Sequence, residues 1–321
     1  FDPTEFMDRK EARRMDRFAQ FAVAAAFEAY RSSGLDEVEF DKTRMAVHVA
    51  SGFGGLATNE AQHSLYLEKG SRRISPFSVI MVIANMASGK IAIELGAKGP
   101  VECVVTACAS STYAIGNALR LIQHGDADVV VAGGSEACLT QYGLSGFAAN
   151  RSISIVEDPN EACKPFDKKR SGFVMGEGGA ILILEELEHA LSRGADILAE
   201  IVGYAATCDA YHFTAPDPTG DGAFRCMENS LKDAGITTAD IDYINAHGTG
   251  TILNDVTEAM AIKRLFGKDE KKVSINATKS MTGHSLGAVG ALEVIITASA
   301  IKEGFIPPTI NLTEQDLSLI H

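Results

Sequence analysis

Apolar side chains recur at helical spacing near the start of the chain. Met15, Phe18, Ala22, Val23, Ala26 and Tyr30 fall on one side of an amphipathic helix predicted over residues 8–31, and Gly34 stands where a terminator belongs. Runs rich in β-branched residues predict strands over residues 45–50, 101–106, 128–132, 180–184, 197–204, 241–246 and 273–277. Helical patterns lie between several of these runs, which favours a mixed α/β sheet over an all-β fold. Residues 101–124 and 273–302 echo one another, each running strand, small-residue turn and long helix with a glycine soon after. The echo suits a duplicated architecture with a boundary near Ala195, after the charged helix predicted over 185–193, so the expected halves are residues 1–195 and 196–321. No low-complexity linker marks that boundary, and the halves are expected to share one core.

Three of the predicted strands end in small residues around a reactive side chain. Cys108 sits in Val104-Val105-Thr106-Ala107-Cys108-Ala109-Ser110-Ser111, where a β-branched run gives way to a helix start. Backbone N–H groups and the positive end of a helix dipole at such a turn favour the thiolate, the nucleophilic form. His247 follows Asn245-Ala246 and precedes Gly248-Thr249-Gly250-Thr251, and His284 ends Thr278-Lys279-Ser280-Met281-Thr282-Gly283-His284. Open α/β sheets place their ligands beyond the carboxyl ends of their strands, so these sites are expected to converge. Cys103, Cys138, Cys163, Cys208 and Cys226 read as packing residues, since free cysteine is among the most buried residue types. His48, His63, His124, His189 and His212 read as surface or satisfied core histidines.

Composition narrows the class. With 321 residues, 46% apolar and 22% charged, the chain can bury a large core. No apolar run approaches the roughly 20 residues that span a bilayer, and no membrane partner is expected. Six cysteines without a C-x-x-C pair give neither a zinc knuckle nor a disulfide framework, so a reducing cytoplasm is the expected location. A net charge of −13 argues against nucleic acid as the main partner. No metal is expected, since His247 and His284 share no helix face and no H-e-x-x-h pattern occurs. One rival pattern is present: Gly52-Phe53-Gly54-Gly55-Leu56-Ala57 after a predicted strand fits G-x-G-x-x-A, with Arg72 and Arg73 about where an NADP phosphate would be met. Residues 65–75 do not read as the second strand such a unit needs, so an NADP-dependent reductase is the weaker reading and no cofactor is expected.

Thr106-Ala107-Cys108, His247-Gly248-Thr249-Gly250-Thr251 and Lys279-Ser280-Met281-Thr282-Gly283-His284 resemble the Cys-His-His centre of the β-ketoacyl-acyl-carrier-protein synthases. The resemblance covers essentially the whole chain, including residues 165–178 and Pro307-Pro308-Thr309-Ile310-Asn311. Cys208-Asp209-Ala210-Tyr211-His212 looks like the elongating type II enzymes, and a second histidine argues against the initiating type III. The resemblance implies an α/β thiolase-like fold of two similar βαβαβ-type halves in α/β/α/β/α layers. It also implies a homodimer that elongates a fatty acyl chain by decarboxylative condensation of malonyl and acyl thioesters carried on the phosphopantetheine arm of acyl-carrier protein. A polyketide-type ketosynthase or a non-catalytic chain-length partner of the same fold is the alternative, the latter opposed by Cys108.

In what the resemblance implies, Cys108 takes the acyl group, and His247 and His284 donate hydrogen bonds to the enolate left by decarboxylation. Lys279 stabilises the site's charges with Glu258 as its partner, and Thr249 and Thr251 hold the pantetheine arm. Ile252 stands where the family commonly has proline. Phe53 matches a position at the acyl pocket usually held by a smaller aliphatic side chain, which implies short or medium primers. Arg9, Lys10, Arg13, Arg14 and Arg17 crowd the first helix, and a basic patch there would dock the acidic carrier. Family members carry a strand before the position of Phe1 and, after that of His321, closing strands with a Gly-Phe-Gly-Gly loop. That loop supplies a phenylalanine gate and an oxyanion-hole N–H, and this chain is expected to lack both segments.

Overall fold

The computed structural model describes residues 1–267 and 273–316, grouped into two compact units. The first comprises residues 1–145, 176–198 and 285–296, and the second the described residues of 146–175, 199–284 and 297–316. Ala195 thus falls inside a segment of the first unit.

In the first unit β1 (Met45–Ala50), β2 (Val101–Glu102), β3 (Val129–Glu136) and β4 (Gly178–Glu185) form a sheet in the order β2-β1-β3-β4. β1 pairs in parallel with β2 and β3, and β4 runs antiparallel to β3 with Val129 opposite Glu185. Every residue of β1 and β3 is buried, which is why both read as continuous apolar or small-residue runs rather than alternating ones. Period-two geometry still sorts them. Met45, Val47, Val49, Val129 and Val131 share a core with Phe18, Ala22, Val23, Ala26 and Ile91 from the helices Arg17–Ser32 and Met86–Leu95. Gly134 faces the other way, toward the helix Ser110–Gln123, where a Cβ would lie 2.7 Å from that of Ser111.

The predicted helix 8–31 divides in two, Arg9–Ala12 and Arg17–Ser32. Asp16 makes the break: buried, it caps the second helix by accepting from the Phe18 N–H and also accepts from the Thr58 N–H at 2.8 Å. Gly34 does lie just past the end, at φ +72°. Of the strand predicted over 101–106 only Val101–Glu102 pairs, and the rest of the run leaves the sheet to enter the Cys108 turn.

In the second unit β5 (Tyr243–Asn245) and β6 (Ser274–Asn276) pair in parallel, Tyr243 opposite Ser274. The helices Asp221–Ala234 and Ile252–Phe266 pack on one another, and Ile262, Phe266 and Val273 form a core with Met227 and Ile244. The strand predicted over 197–204 finds no ladder among the described residues. Ile197, Leu198 and Val202 are exposed there, and the Tyr204 N–H donates to the Asp233 carboxylate instead of to another strand. No helix among the described residues is long and apolar enough to cross a membrane.

Candidate active site

Cys108 occupies a one-turn 3-10 segment, Ala107–Ala109, that leads into the helix Ser110–Gln123. Ala107 takes φ +52°, a left-handed conformation that side-chain-bearing residues rarely adopt and that is held here by local bonding. The Ser110 hydroxyl supplies it, accepting from the Thr106 N–H at 2.8 Å and donating to the Ala107 carbonyl at 2.7 Å. Ser110 and Ser111 are fully buried, and Ser111 Oγ accepts from the Ala291 N–H, so the small residues of this stretch are packing requirements. Cys108 is half-buried, two residues from the helix start. The contrast with the other thiols is chemical. Burial pushes Cys103, Cys138, Cys163 and Cys226 up, away from the thiolate, and Cys163 Sγ donates to the Lys279 carbonyl at 2.9 Å.

The second unit holds both histidines. The His247 and His284 rings stand 5.4 Å apart at 87°, and Phe173 packs edge-on to His284 at 5.2 Å. Beyond β5 the chain is clamped from two sides. Glu258, one face of the helix Ile252–Phe266, accepts from the His247 N–H at 2.6 Å and the Gly248 N–H at 2.8 Å. Lys279, fully buried, donates from Nζ to the His247 carbonyl at 2.6 Å. Lys279 and Glu258 therefore act on one backbone segment from opposite charge. Gly248 has φ +38°, and a Cβ on it would meet that of Ala277 at 2.4 Å, which is why glycine follows the histidine. His284 is placed by its own backbone, its N–H donating to the Val174 carbonyl at 2.7 Å.

Electrostatics keep both rings neutral. Burial, then the nearby Lys279 charge, lowers His284 to about 3. Burial, Lys279 and His284 together hold His247 well below the ordinary histidine value. Each neutral imidazole offers one N–H donor. Burial raises Glu258, opposed by the Gly248 and His247 N–H groups. The His284 shift predicts an acid limb of stability. The folded ring stays neutral down to about pH 3 while the unfolded ring takes up a proton near 6.5, so its contribution is complete above about pH 6.5 and is lost as pH falls toward 3. His284→Asn should flatten the urea-denaturation stability profile across that window by up to about 1.4 kcal/mol per pH unit. An unchanged slope would mean that the folded ring titrates normally.

Thr249 and Thr251 bring their hydroxyls to 2.9 Å from one another, just before that helix. Ile252 is its exposed first residue, where a backbone N–H needs no intrahelical partner, so isoleucine and proline both suit the position. Sequence reasoning passed over Asp255. Fully buried one turn before Glu258, it accepts from the Phe166 N–H at 2.9 Å and the Gly250 N–H at 3.2 Å, with Arg170 Nε at 3.8 Å. Phe166, at φ +63°, packs with Ala246, Ala259 and Ala277. The only signal for Asp255 in the sequence is an acid three residues before Glu258, a spacing that puts both on one face of a helix.

The remaining candidates lie in the first unit. Phe53 is 49% exposed and so is not a core side chain of this chain. Its loop does not offer amides to a nucleotide phosphate: the Gly52 and Phe53 N–H groups donate to the Glu136 carboxylate at 2.7 and 3.2 Å. Residues 65–69 belong to the helix Leu56–Lys69, so the second strand of a dinucleotide unit is missing there as expected. Arg9, Lys10, Arg13 and Arg17 are exposed. Arg14 is half-buried, bonded to Glu11 at 3.3 Å and stacked over Phe77, and Arg17 pairs with Glu177 at 2.7 Å.

The family model described as "Beta-ketoacyl synthase, N-terminal domain" matches residues 1–190, and "Beta-ketoacyl synthase, C-terminal domain" matches residues 198–313. A 3-oxoacyl-[acyl-carrier-protein] synthase 2 of Synechocystis sp. is 53% identical over 317 residues, covering 98% of this chain and 76% of its own. Among solved structures, the ishigamide ketosynthase/chain length factor superposes with a TM-score of 0.92 at 37% identity, over 99% of this chain and 77% of that one. A ketosynthase solved with its type II polyketide acyl-carrier protein gives 0.91 at 36% identity, over 94% and 76%.

Proposed function

We propose, on the premise that this chain belongs to the beta-ketoacyl synthase family, that it elongates fatty acyl chains by condensing an enzyme-bound acyl group with malonyl-acyl-carrier protein. The observation that carries the reading is 53% identity to a 3-oxoacyl-[acyl-carrier-protein] synthase 2 over 98% of the chain; the sequence around Cys108, His247 and His284 supports it. The thiolase-like α/β fold follows from the same family, with residues 1–195 and 196–321 as its two related halves.

Cys108 thiolate attacks the acyl thioester carbonyl; the new C–S bond forms as the carrier's C–S bond breaks, and the carrier leaves as a thiolate that takes its proton from solvent. Malonyl-carrier protein then loses carbon dioxide, and its C–C electron pair becomes an enolate. The neutral His247 and His284 donate hydrogen bonds to the enolate oxygen, while Lys279 and Glu258 hold His247 by its backbone. The enolate carbon attacks the acyl-Cys108 carbonyl, and the C–S bond breaks to return the thiolate and release the β-ketoacyl-carrier. No redox step or cofactor enters this balance. Thr249 and Thr251 lie two and four residues beyond His247 and suit the polar pantetheine arm.

The acyl-carrier protein is the partner, in a homodimer working in the cytoplasm. Exposed Ile93, Val101 and Val105 beside the short edge strand β2 support a second copy there. For the carrier, exposed Arg9, Lys10 and Arg13 are the docking candidates, since Arg14 is engaged with Glu11 and Phe77. Arg9→Glu with Arg13→Glu should raise the apparent KM for carrier-linked substrate about three- to tenfold at low salt, an effect that shrinks as salt screens the charges. Equal kinetics with carrier-linked and small thioesters would remove the patch. The reading itself is tested by mixing the protein with acyl- and malonyl-carrier protein. A β-ketoacyl product lengthened by two carbons supports it, and acylation without condensation favours a different transferase.

A further inference from the structure

Glu136, at the end of β3, is fully buried and accepts four hydrogen bonds. Its Oε1 takes the Ser51 hydroxyl at 2.9 Å and the Phe53 N–H at 3.2 Å; its Oε2 takes the N–H groups of Gly52 at 2.7 Å and Gly287 at 3.0 Å. These four partners all donate, as an acceptor-only carboxylate requires. The Ser51 hydroxyl oxygen also accepts from the Gly54 N–H at 2.9 Å, which ties the loop back on itself. The site is cut to the anion's shape as well. A Cβ on Gly52 or on Gly287 would lie 2.7 Å from Oε2. Main-chain amides of two loops thus form an anion nest, and the protein fills it with its own side chain.

We infer that Glu136 is a positioning residue for substrate choice: its carboxylate locks the Ser51–Gly54 loop to the Gly287 turn, and so fixes where the Phe53 ring stands against the acyl chain. This rests on the reading of Phe53 as an acyl-pocket residue. Both tied segments adjoin functional positions, since Gly287 lies three residues after His284 in sequence. A Gln at 136 keeps the shape but turns an NH₂ group toward two donors, which frees the loop without opening a cavity.

The test compares Glu136→Gln, Phe53→Ile and the double variant in the full chain by two measurements. Amide hydrogen exchange at Gly52, Phe53 and Gly287 should speed up by about tenfold or more in Glu136→Gln, as expected when bonds to a charged acceptor are lost. The long-to-short ratio of acyl-carrier acylation at Cys108 should rise by about fivefold in each single variant, and no further in the double. A shifted ratio in Phe53→Ile alone overturns the role of Glu136 and leaves Phe53 in place. Fast exchange with an unshifted ratio in both single variants overturns the Phe53 reading, and the specificity role with it. Equal slowing with long and short primers makes Glu136 merely structural. If Glu136→Gln fails to fold, Ser51→Ala removes one of the four donors and should move the ratio the same way by less; an unmoved ratio there also overturns the proposal.

Discussion

Cys108→Ala is expected to lower condensation by about four orders of magnitude or more, as loss of a covalent nucleophile does elsewhere. Four other thiols offer no substitute, because desolvation pushes Cys103, Cys138, Cys163 and Cys226 up, away from the thiolate. Only Cys108 stands at a helix start in a turn whose left-handed Ala107 is held by Ser110. Intact mass after incubation with an acyl thioester should therefore show one adduct in the wild type and none in Cys108→Ala. Peptide mapping should put that adduct on Cys108, and recovery of label on Cys103 or Cys163 would sink the assignment. Cys103→Ala should act through packing and leave the mapped site unchanged.

Replacing His247 or His284 by alanine is expected to cost about 10²- to 10³-fold in condensation, the effect of removing one preorganised donor to a developing oxyanion in other enzymes. Acyl transfer to Cys108 should fall less in either variant, because the donors are assigned to the enolate. Separate assays of carbon dioxide release from malonyl-carrier protein and of Cys108 acylation distinguish the two half-reactions. Equal losses in both would end that division of labour. Because burial and Lys279 keep both rings neutral, neither should produce a kinetic limb near the ordinary histidine value, and His284 should enter only near pH 3.

Cys108, His247 and His284 stand out in the sequence because each comes after a predicted strand and is flanked by small residues or hydroxyls, a pattern carried by a few neighbouring letters. The strands at β1, β3 and β4 were legible for the same local reason. What stayed hidden depends on partners far along the chain. Asp16 splits the first helix by reaching Thr58, 42 residues on, and Asp255 holds Phe166 across 89 residues. A buried carboxylate and a solvated one look alike in a sequence. The run over 197–204 misled because alternation and β-branching describe a strand's faces but do not supply the neighbour whose amides it must meet. The glycine loop at 52–57 looked like a nucleotide fingerprint because spacing cannot tell that its amides are already spoken for.

Glu136 lies 85 residues from Ser51 and 151 from Gly287, yet the three places are interlocked like parts of one key. Loops grafted between chains of this family would have to travel as a set. A donor loop with alanine for Gly52 meets the carboxylate oxygen, while a recipient lacking the acid leaves four donors stranded in the interior. Inheritance at these sites should therefore be linked, and a screen of shuffled chimeras should recover Gly52, Glu136 and Gly287 together far more often than chance assortment allows.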